Sequence, residues 1–298
     1  MHFRETTAAD RERILALRAR CFGDVDPEKL DPRFWDWEFA RAQMFVGEAK
    51  ENGEIATHLA LLDLPHMLDG SSVRGALAVD AMTSPSARGQ GAFTGVVRAA
   101  MSGGDHEIAT AYQIRSAVLG AMLRGGWAVA ERVPVLVRPV FKWRSRTNAR
   151  QTTLLQRSDA AWMSELALRD GCIARTPEFL AWRFFDNPHW RYRVIGTRGS
   201  AYLVTRRTKL KGFDTLAIVD LAWRDRRAAR ALLREAIAHA HSEGCTLAAA
   251  FVSRRHPAFW MFLRAGFLPG PHWFRLLVHP REHASRAWRV MWADTDHL

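Results

Sequence analysis

The chain repeats itself, and an internal repeat restricts a fold more tightly than composition does. DPRFWDWEF (Asp31–Phe39) and TPEFLAWRF (Thr176–Phe184) share P-x-F-x-x-W-x-F at a spacing of 145 residues, Pro32 to Pro177. MLRGGW (Met122–Trp127) and FLRAGF (Phe262–Phe267) match at a spacing of 140. ALAVDAM (Ala76–Met82) aligns with LAIVDLAW (Leu216–Trp223) at 140 as well, with Val79-Asp80 over Val219-Asp220. Three matches in one order at nearly constant offset define two copies of one unit. The first covers residues 1–138 and the second 172–280. Between them lies a basic stretch, 139–171, without clean periodicity, which reads as a linker; residues 281–298 form a C-terminal tail.

Within the first copy the periodicity predicts mixed elements. An amphipathic helical opening runs over Thr7–Phe22, with Thr7 or Asp10 as its cap, and strand-like MFVGEA and THLALLDL follow. Then come a strand (76–82), a helix (92–102), a strand (106–112), a helix (113–125) and a strand (127–133). Strands and helices alternating in this way imply an α/β class with a mixed α+β sheet, in two tandem domains.

At 298 residues and 48% hydrophobic content the chain can bury a core in each copy. Its 43 Lys+Arg against 31 Asp+Glu leave +12, mostly as Arg, which suits phosphate-bearing ligands, acidic partners or simply a soluble basic surface. Cys21, Cys172 and Cys245 lie far apart and read as thiols in a reducing compartment. The N-terminus carries charges where a signal peptide needs an apolar core, and no apolar run is long enough to span a bilayer. The expectation is a soluble, cytoplasmic protein, preferably a monomer, because a tandem repeat can satisfy internally what single units achieve by pairing.

SPSARGQGAFTG (Ser84–Gly95) stands at the junction of the 76–82 strand and the 92–102 helix. A helix N-terminus offers free N–H groups and partial positive charge to phosphate. Glycine lets the backbone turn with φ > 0. Arg88-Gly89-Gln90-Gly91-Ala92 therefore reads as an anion cradle or, more plainly, a tight turn. It is neither a Walker loop nor G-x-G-x-x-G, since Gly95 falls one position late.

In this setting the sequence resembles the GNAT superfamily, the acyl-CoA-dependent N-acyltransferases. VDAMTSPSARGQGAFTGVV is similar to their strand, proline and Arg-Gly-x-Gly opening a helix; MLRGGWAVAERV and FLRAGFLPG are similar to their later helix ending in Gly-Phe. The resemblance implies acetyl-CoA, or another acyl-CoA, as co-substrate. It also implies that Ala81, Met82 and Thr83 pair with the pantetheine arm through strand backbone. Arg88, Gly89, Gln90, Gly91, Ala92, Phe93 and Thr94 would hold the pyrophosphate, mainly through backbone amides. The second copy reads RDRRAARALLREA (Arg224–Ala236) at the same point, without glycine, so it is expected to be degenerate. Arg226, Arg227 and Arg230 are expected there as solvated helix charges.

Acyl transfer to an amine needs a proton acceptor for the amine and a donor for the leaving thiolate. Many relatives supply the donor from a tyrosine four residues before the Gly of Gly-Phe; here those positions are Met122 and Phe262. Tyr112, ending the 106–112 strand, is the candidate donor, and Asp80 the candidate base or amine-binding group. Asp220, its counterpart in the copy without the loop, favours a structural role for both. No metal site is expected: His106-Glu107 lacks the second His of HExxH, where Thr110 stands, and His239-x-His241 faces two directions of a helix. Asp294 and Asp296, in a Trp-rich tail expected to pack, are either within reach of an acceptor or plain surface carboxylates. No cysteine lies near the loop in sequence, which favours direct transfer.

The expected function is acyl transfer from acyl-CoA, acetyl by default, to a primary amine of a small molecule, an amino sugar or nucleotide-linked amino sugar among them. The alternatives are a non-catalytic CoA-binding sensor and a tRNA-dependent aminoacyl transferase similar to the peptidoglycan bridge-forming enzymes. The Arg-Gly-Gln-Gly loop argues against the last, and nucleic acid is not the expected partner.

Overall fold

A computed structural model describes residues 1–22, 27–50, 53–113, 116–140, 152–167 and 170–295. The chain divides into two compact units. Unit 1 comprises Met1–His66, Val73–Ala130 and Arg275–Arg286; unit 2 comprises Met67–Ser72, Glu131–Phe274 and Ala287–Leu298.

Unit 1 begins with β1 (His2–Glu5), a 3-10 turn at Ala8–Asp10 and α1 (Arg11–Phe22). The Asp10 carboxylate accepts from the Thr7 backbone N–H at 2.9 Å and from Thr7 Oγ1 at 3.1 Å, so both candidate capping residues act at this start. α2 (Pro32–Phe39), β2 (Ala42–Glu48) and β3 (Ile55–Asp63) follow; the next two strands in the chain, β4 (His66–Leu68) and β5 (Ser71–Val73), lie mostly in Met67–Ser72 and so in unit 2. Next come β6 (Gly75–Thr83), α3 (Ala92–Gly103), β7 (Ile108–Gln113), α4 (Ser116–Arg124) and β8 (Ala128–Pro139). The sheet order in unit 1 is β1-β2-β3-β6-β7, with Arg275–His279 from the far end of the chain pairing antiparallel to β7. β3 is buried at every position but Asp63, as a central strand covered on both faces must be. One face packs Leu59, Leu61, Ala76 and Ala78 against Val96, Val97 and Ala100 of α3.

Unit 2 holds most of β8, β9 (Thr153–Leu154), α5 (Ala160–Ser164), β10 (Cys172–Ile173) and α6 (Pro177–Phe184). β11 (Tyr192–Thr197), β12 (Ala201–Leu210), β13 (Phe213–Trp223), α7 (Arg226–Ser242), β14 (Leu247–Phe251), α8 (Phe259–Arg264) and the first part of β15 (Leu268–His279) complete it. β13 pairs antiparallel with β12 and parallel with β14. α7 buries Ala229, Leu232, Leu233 and Ala236 on one side and exposes its arginines on the other.

The two P-x-F-x-x-W-x-F segments form α2 and α6, helices of equal length. Each has Pro at its first position and a side-chain N-cap, Asp31 or Thr176. Phe34 and Phe39 are buried in one, Phe179 and Phe184 in the other. Within the stretch 139–171, Thr153–Leu154 pairs with β11 and Ala160–Ser164 is helical, so these residues are part of unit 2's structure; 141–151 and 168–169 lie outside the described residues.

The tail is a structural element of unit 2. Met291 bridges Val252 at the end of β14, and Trp288, Met291 and Trp292 are buried. Asp294 is not a surface carboxylate: it is fully buried, because three polar groups of unit 2 supply it with hydrogen bonds. Asp296 lies outside the described residues. Among the described residues, no helix is long and apolar enough to cross a membrane.

Candidate active site

β6 and β7 run parallel and pair only at Gly75–Leu77 with Ile108–Thr110. β6 then continues to Thr83 and β7 to Gln113 without further mutual pairing, which leaves an opening whose β6 side carries Val79–Thr83. A bulge sets this course. The register of β6 on β3 slips by one between Ala60↔Val79 and His58↔Met82, and Asp80 within the slip has φ of 53°. A bulge bends its strand and re-aims the groups after it. Ala81, Met82 and Thr83 therefore lie on the bent segment beside the opening.

The loop beyond Thr83 is a short 3-10 turn, Pro85–Ala87, followed by Arg88-Gly89-Gln90-Gly91. Gly89 and Gly91 both have φ of 79°, and a Cβ built on either meets nothing within 4 Å. Backbone conformation, not crowding, demands glycine at both positions. Gly91 is the N-cap of α3, in the left-handed conformation, and no side chain caps the first N–H groups of the helix there. Arg88 to Gly91 are exposed, Ala92 is buried, and Phe93 and Thr94 are half-buried. Gln90 donates to the Ser86 carbonyl at 2.8 Å and closes the turn. Gly95 has a different reason: a Cβ there would fall 2.0 Å from the Phe3 ring, so it lets α3 lie against β1.

Asp80 is buried on the α1 side of the sheet. Arg18 Nε lies 3.0 Å from one carboxylate oxygen and His58 Nδ1 3.2 Å from the other. Arg18 also pairs with buried Glu38 at 3.0 Å. Burial alone would raise the Asp80 pKa, but Arg18 and His58 outweigh it and hold the group at about 2. For Glu38 burial wins and its pKa rises. The His58 Nδ1 also lies 3.1 Å from the Asp80 carbonyl oxygen. Both neighbours of Nδ1 are acceptors, so Nδ1 carries a hydrogen, and Nε2 is buried with no hydrogen-bond partner among the described residues.

Tyr112 is buried on β7 beyond the point where β6 and β7 part. By strand alternation it shares a face with Thr110 and Leu77, the face on which β3 presents His58. Asp80 and Tyr112 thus flank the opening from its two strands on one side of the sheet. Met122, at the position where relatives carry tyrosine, is packed in the core between α3 and the sheet.

Four participants were missed in the sequence. His58 sits inside the apolar run THLALLDL, where a lone polar residue was the only signal. Arg18 reads as one of several arginines on α1. Arg124, whose guanidinium donates to Thr94 Oγ1 at 3.3 Å, brings a cation beside the first turn of α3; its retention as Arg264 in FLRAGF was legible. Cys21 is distant in sequence yet places its thiol 3.5 Å from the Thr83 carbonyl. Burial raises the Cys21 pKa, against the opposing influence of Arg88 and Arg20, so the group stays a thiol.

The second unit repeats this arrangement with changes. β13 carries the same bulge, the register slipping by one between Thr205↔Ile218 and Val204↔Asp220. Asp220 is again bound by a buried arginine, Arg175 at 3.1 Å, and Tyr202 Oη donates to it at 2.9 Å. Tyr202 faces Ala222 in the register in which His58 faces Met82. Arg175 in turn binds Asp294, so the C-terminal segment is tied to the bulge of β13. No glycine turn precedes α7; Asp225 caps it, accepting from the Arg227 N–H at 2.8 Å. His106 is half-buried and Glu107 exposed, and no group of three or more potential metal ligands occurs among the described residues.

The bulged strand, its splayed parallel neighbour and the glycine turn opening a helix lie in a mixed α/β fold that solved GCN5-related N-acetyltransferases share. Residues 2–116 match the family model described as an acetyltransferase (GNAT) domain. Among solved structures it is similar to a GCN5-related N-acetyltransferase from Kribbella flavida, at 16% identity and a TM-score of 0.66, covering 93% of this chain and 70% of that one. A GCN5-related N-acetyltransferase from Anabaena variabilis aligns at 14% identity and a TM-score of 0.68, over 93% and 72%. N-myristoyltransferase of Saccharomyces cerevisiae, solved with myristoyl-CoA, aligns at 12% and 0.59, over 93% and 78%. These likenesses establish the fold. No curated protein matches the chain.

Proposed function

We propose that the protein is an acyl-CoA-dependent N-acyltransferase, acetyl by default, that acylates a primary amine of a small molecule directly. The observation that carries this reading is the uncapped start of α3 behind two left-handed glycines, beside the open edge of β6. N–H groups of Gly89 to Thr94, with Arg88 and Arg124, suit a pyrophosphate. The backbone of Ala81–Thr83 suits the pantetheine amides. Acyl-CoA would supply the activated carbonyl; the remaining work falls to this chain's side chains.

Asp80, as a carboxylate of low pKa, is a poor proton acceptor at neutral pH. Its role in this reading is to orient His58, whose Nε2 takes the proton of the amine, directly or through water. Tyr112 is assigned as the donor to the leaving thiolate. An amino sugar or nucleotide-linked amino sugar remains the favoured acceptor class.

The test pairs binding with turnover. Acetyl-CoA should raise the melting temperature of the wild type, and Gly89→Asp should abolish that shift. CoA release with a panel of amines should follow, and His58→Gln should lower kcat by about 100-fold while leaving the acetyl-CoA shift intact. An unchanged melting curve at saturating acetyl-CoA would sink the reading. Binding without release across the panel would instead favour a CoA sensor, which the buried Met122 supports.

A further inference from the structure

Unit 2 carries an open pocket of about 500 Å³, lined by Trp223, Arg226, Pro257, Trp260 and Arg264. This volume lies in the range of small-molecule sites. The Trp260 indole is 59% exposed, among the largest apolar exposures in the described chain. Neither the Arg226 nor the Arg264 guanidinium has a hydrogen-bond or ion-pair partner among the described residues. The lining contains no carboxylate, and nearby Asp225 is turned onto its own helix as the N-cap of α7.

The comparison with unit 1 shows that the fold does not require this arrangement. Position 120, aligned with Trp260, is glycine, and Arg124, aligned with Arg264, is engaged by Thr94. Unit 2 instead lines one pocket with an exposed indole and two unengaged cations. An apolar ligand would cover the indoles but strand both guanidinium groups out of water. A bare anion would pair the arginines and leave the indoles wet. A ligand with a flat π-face and an attached phosphate satisfies both, through stacking on indole and charge-assisted hydrogen bonds to Arg.

We infer that this pocket binds a nucleoside phosphate, its base stacked on Trp260 and its phosphates held by Arg226 and Arg264. The site lies wholly in unit 2 and goes beyond the acyl-transfer reading, which can fail without affecting it. The ligand's chemistry is shared by free nucleotides and by the adenosine diphosphate end of CoA, and the measurement separates the two.

Calorimetric titration of the full chain with ADP, UDP, adenosine, inorganic pyrophosphate and CoA tests it, all in the Gly89→Asp background to silence the loop of unit 1. ADP should bind, and Trp260→Ala, Arg226→Ala and Arg264→Ala should each weaken it by about tenfold or more. Adenosine and pyrophosphate should each bind more weakly than ADP, since each satisfies half the pocket. All three substituted side chains are exposed, so these variants should fold, with unchanged melting curves as the control. CoA competing with ADP would identify the ligand as the nucleotide end of CoA; ADP and UDP binding without competition by CoA would identify a free nucleotide. Absence of ADP binding at millimolar concentration would overturn the inference. So would ADP binding that is indifferent to all three substitutions, or pyrophosphate binding as tightly as ADP.

Discussion

Arg175 and Asp294, 119 positions apart in the chain, are joined by hydrogen bonds of 2.7 and 2.8 Å in the interior of unit 2. The arginine also holds Asp220 on the bulge of β13, so one cation links the repeat's aspartate to the C-terminal segment. Removing Asp294 leaves Arg175 with Asp220 as its one remaining carboxylate partner among the described residues and strips the buried Ile173 and Met291 N–H groups of their acceptor. Asp294→Ala should therefore destabilise unit 2 by about 3–5 kcal/mol, read as a drop in its denaturation midpoint. A loss below about 1 kcal/mol would mean that the tail is peripheral to the unit.

The pH dependence of stability follows from His256. The ring is buried, and its Nδ1 accepts from the Ala258 N–H at 3.0 Å, so the native state holds it neutral. Burial lowers its pKa from the ordinary value to about 3, with Arg175 and Arg289 acting the same way and Asp294 opposing. A depressed folded pKa contributes stability that is complete above the unfolded pKa, about 6.5. That stability is lost as pH falls from there towards 3, where the unfolded chain alone binds the proton. Urea midpoints should fall over this window, with a slope approaching about 1.4 kcal/mol per pH unit from this group. His256→Asn, whose Oδ1 can replace the Nδ1 acceptor, should flatten the wild-type profile between pH 6 and 4, roughly the middle of that window.

Gly91 at the N-cap of α3 and Gly95 within its first turns should respond differently. Gly95→Ala places a methyl against Phe3, an overpacking of about 1–3 kcal/mol that Phe3→Leu should partly relieve, detected as coupling in a double-mutant cycle. Gly91→Ala has open space, so its cost is the left-handed conformation alone, about 1–2 kcal/mol, and Phe3→Leu should leave it unchanged. Equal coupling for both would contradict this division of labour.

The element order and the glycine turn were legible because each is local: a cap, a period of 3.6 or 2, a turn that needs φ > 0. The helix expected at 92–102 is α3, Ala92–Gly103, and the strand expected at 76–82 is β6, Gly75–Thr83. What was not legible depends on chain-distant packing. His58 meets Asp80 only because β3 and β6 pair with a one-residue slip, and nothing in THLALLDL encodes that slip. Asp294 has the composition of a surface residue until Arg175 and the Ile173 and Met291 N–H groups surround it. The 131–139 and 275–286 segments, which the two units take from opposite ends of the repeat, are likewise set by strand pairing and not by periodicity.

Cys21 decides between direct transfer and a covalent route, because its thiol touches the Thr83 carbonyl beside the proposed pantetheine path. A nucleophilic cysteine needs a lowered pKa or an adjacent base, whereas burial raises this one. Direct transfer therefore predicts that Cys21→Ala keeps kcat within about threefold of the wild type. Intact-mass spectra after acetyl-CoA without acceptor should show no acyl adduct. Acetyl-CoA should also slow alkylation of Cys21 by iodoacetamide, since a pantetheine arm on β6 would cover the sulfur. An acylated Cys21 peptide, with activity lost on substitution, would replace the ternary-complex mechanism with a two-step one.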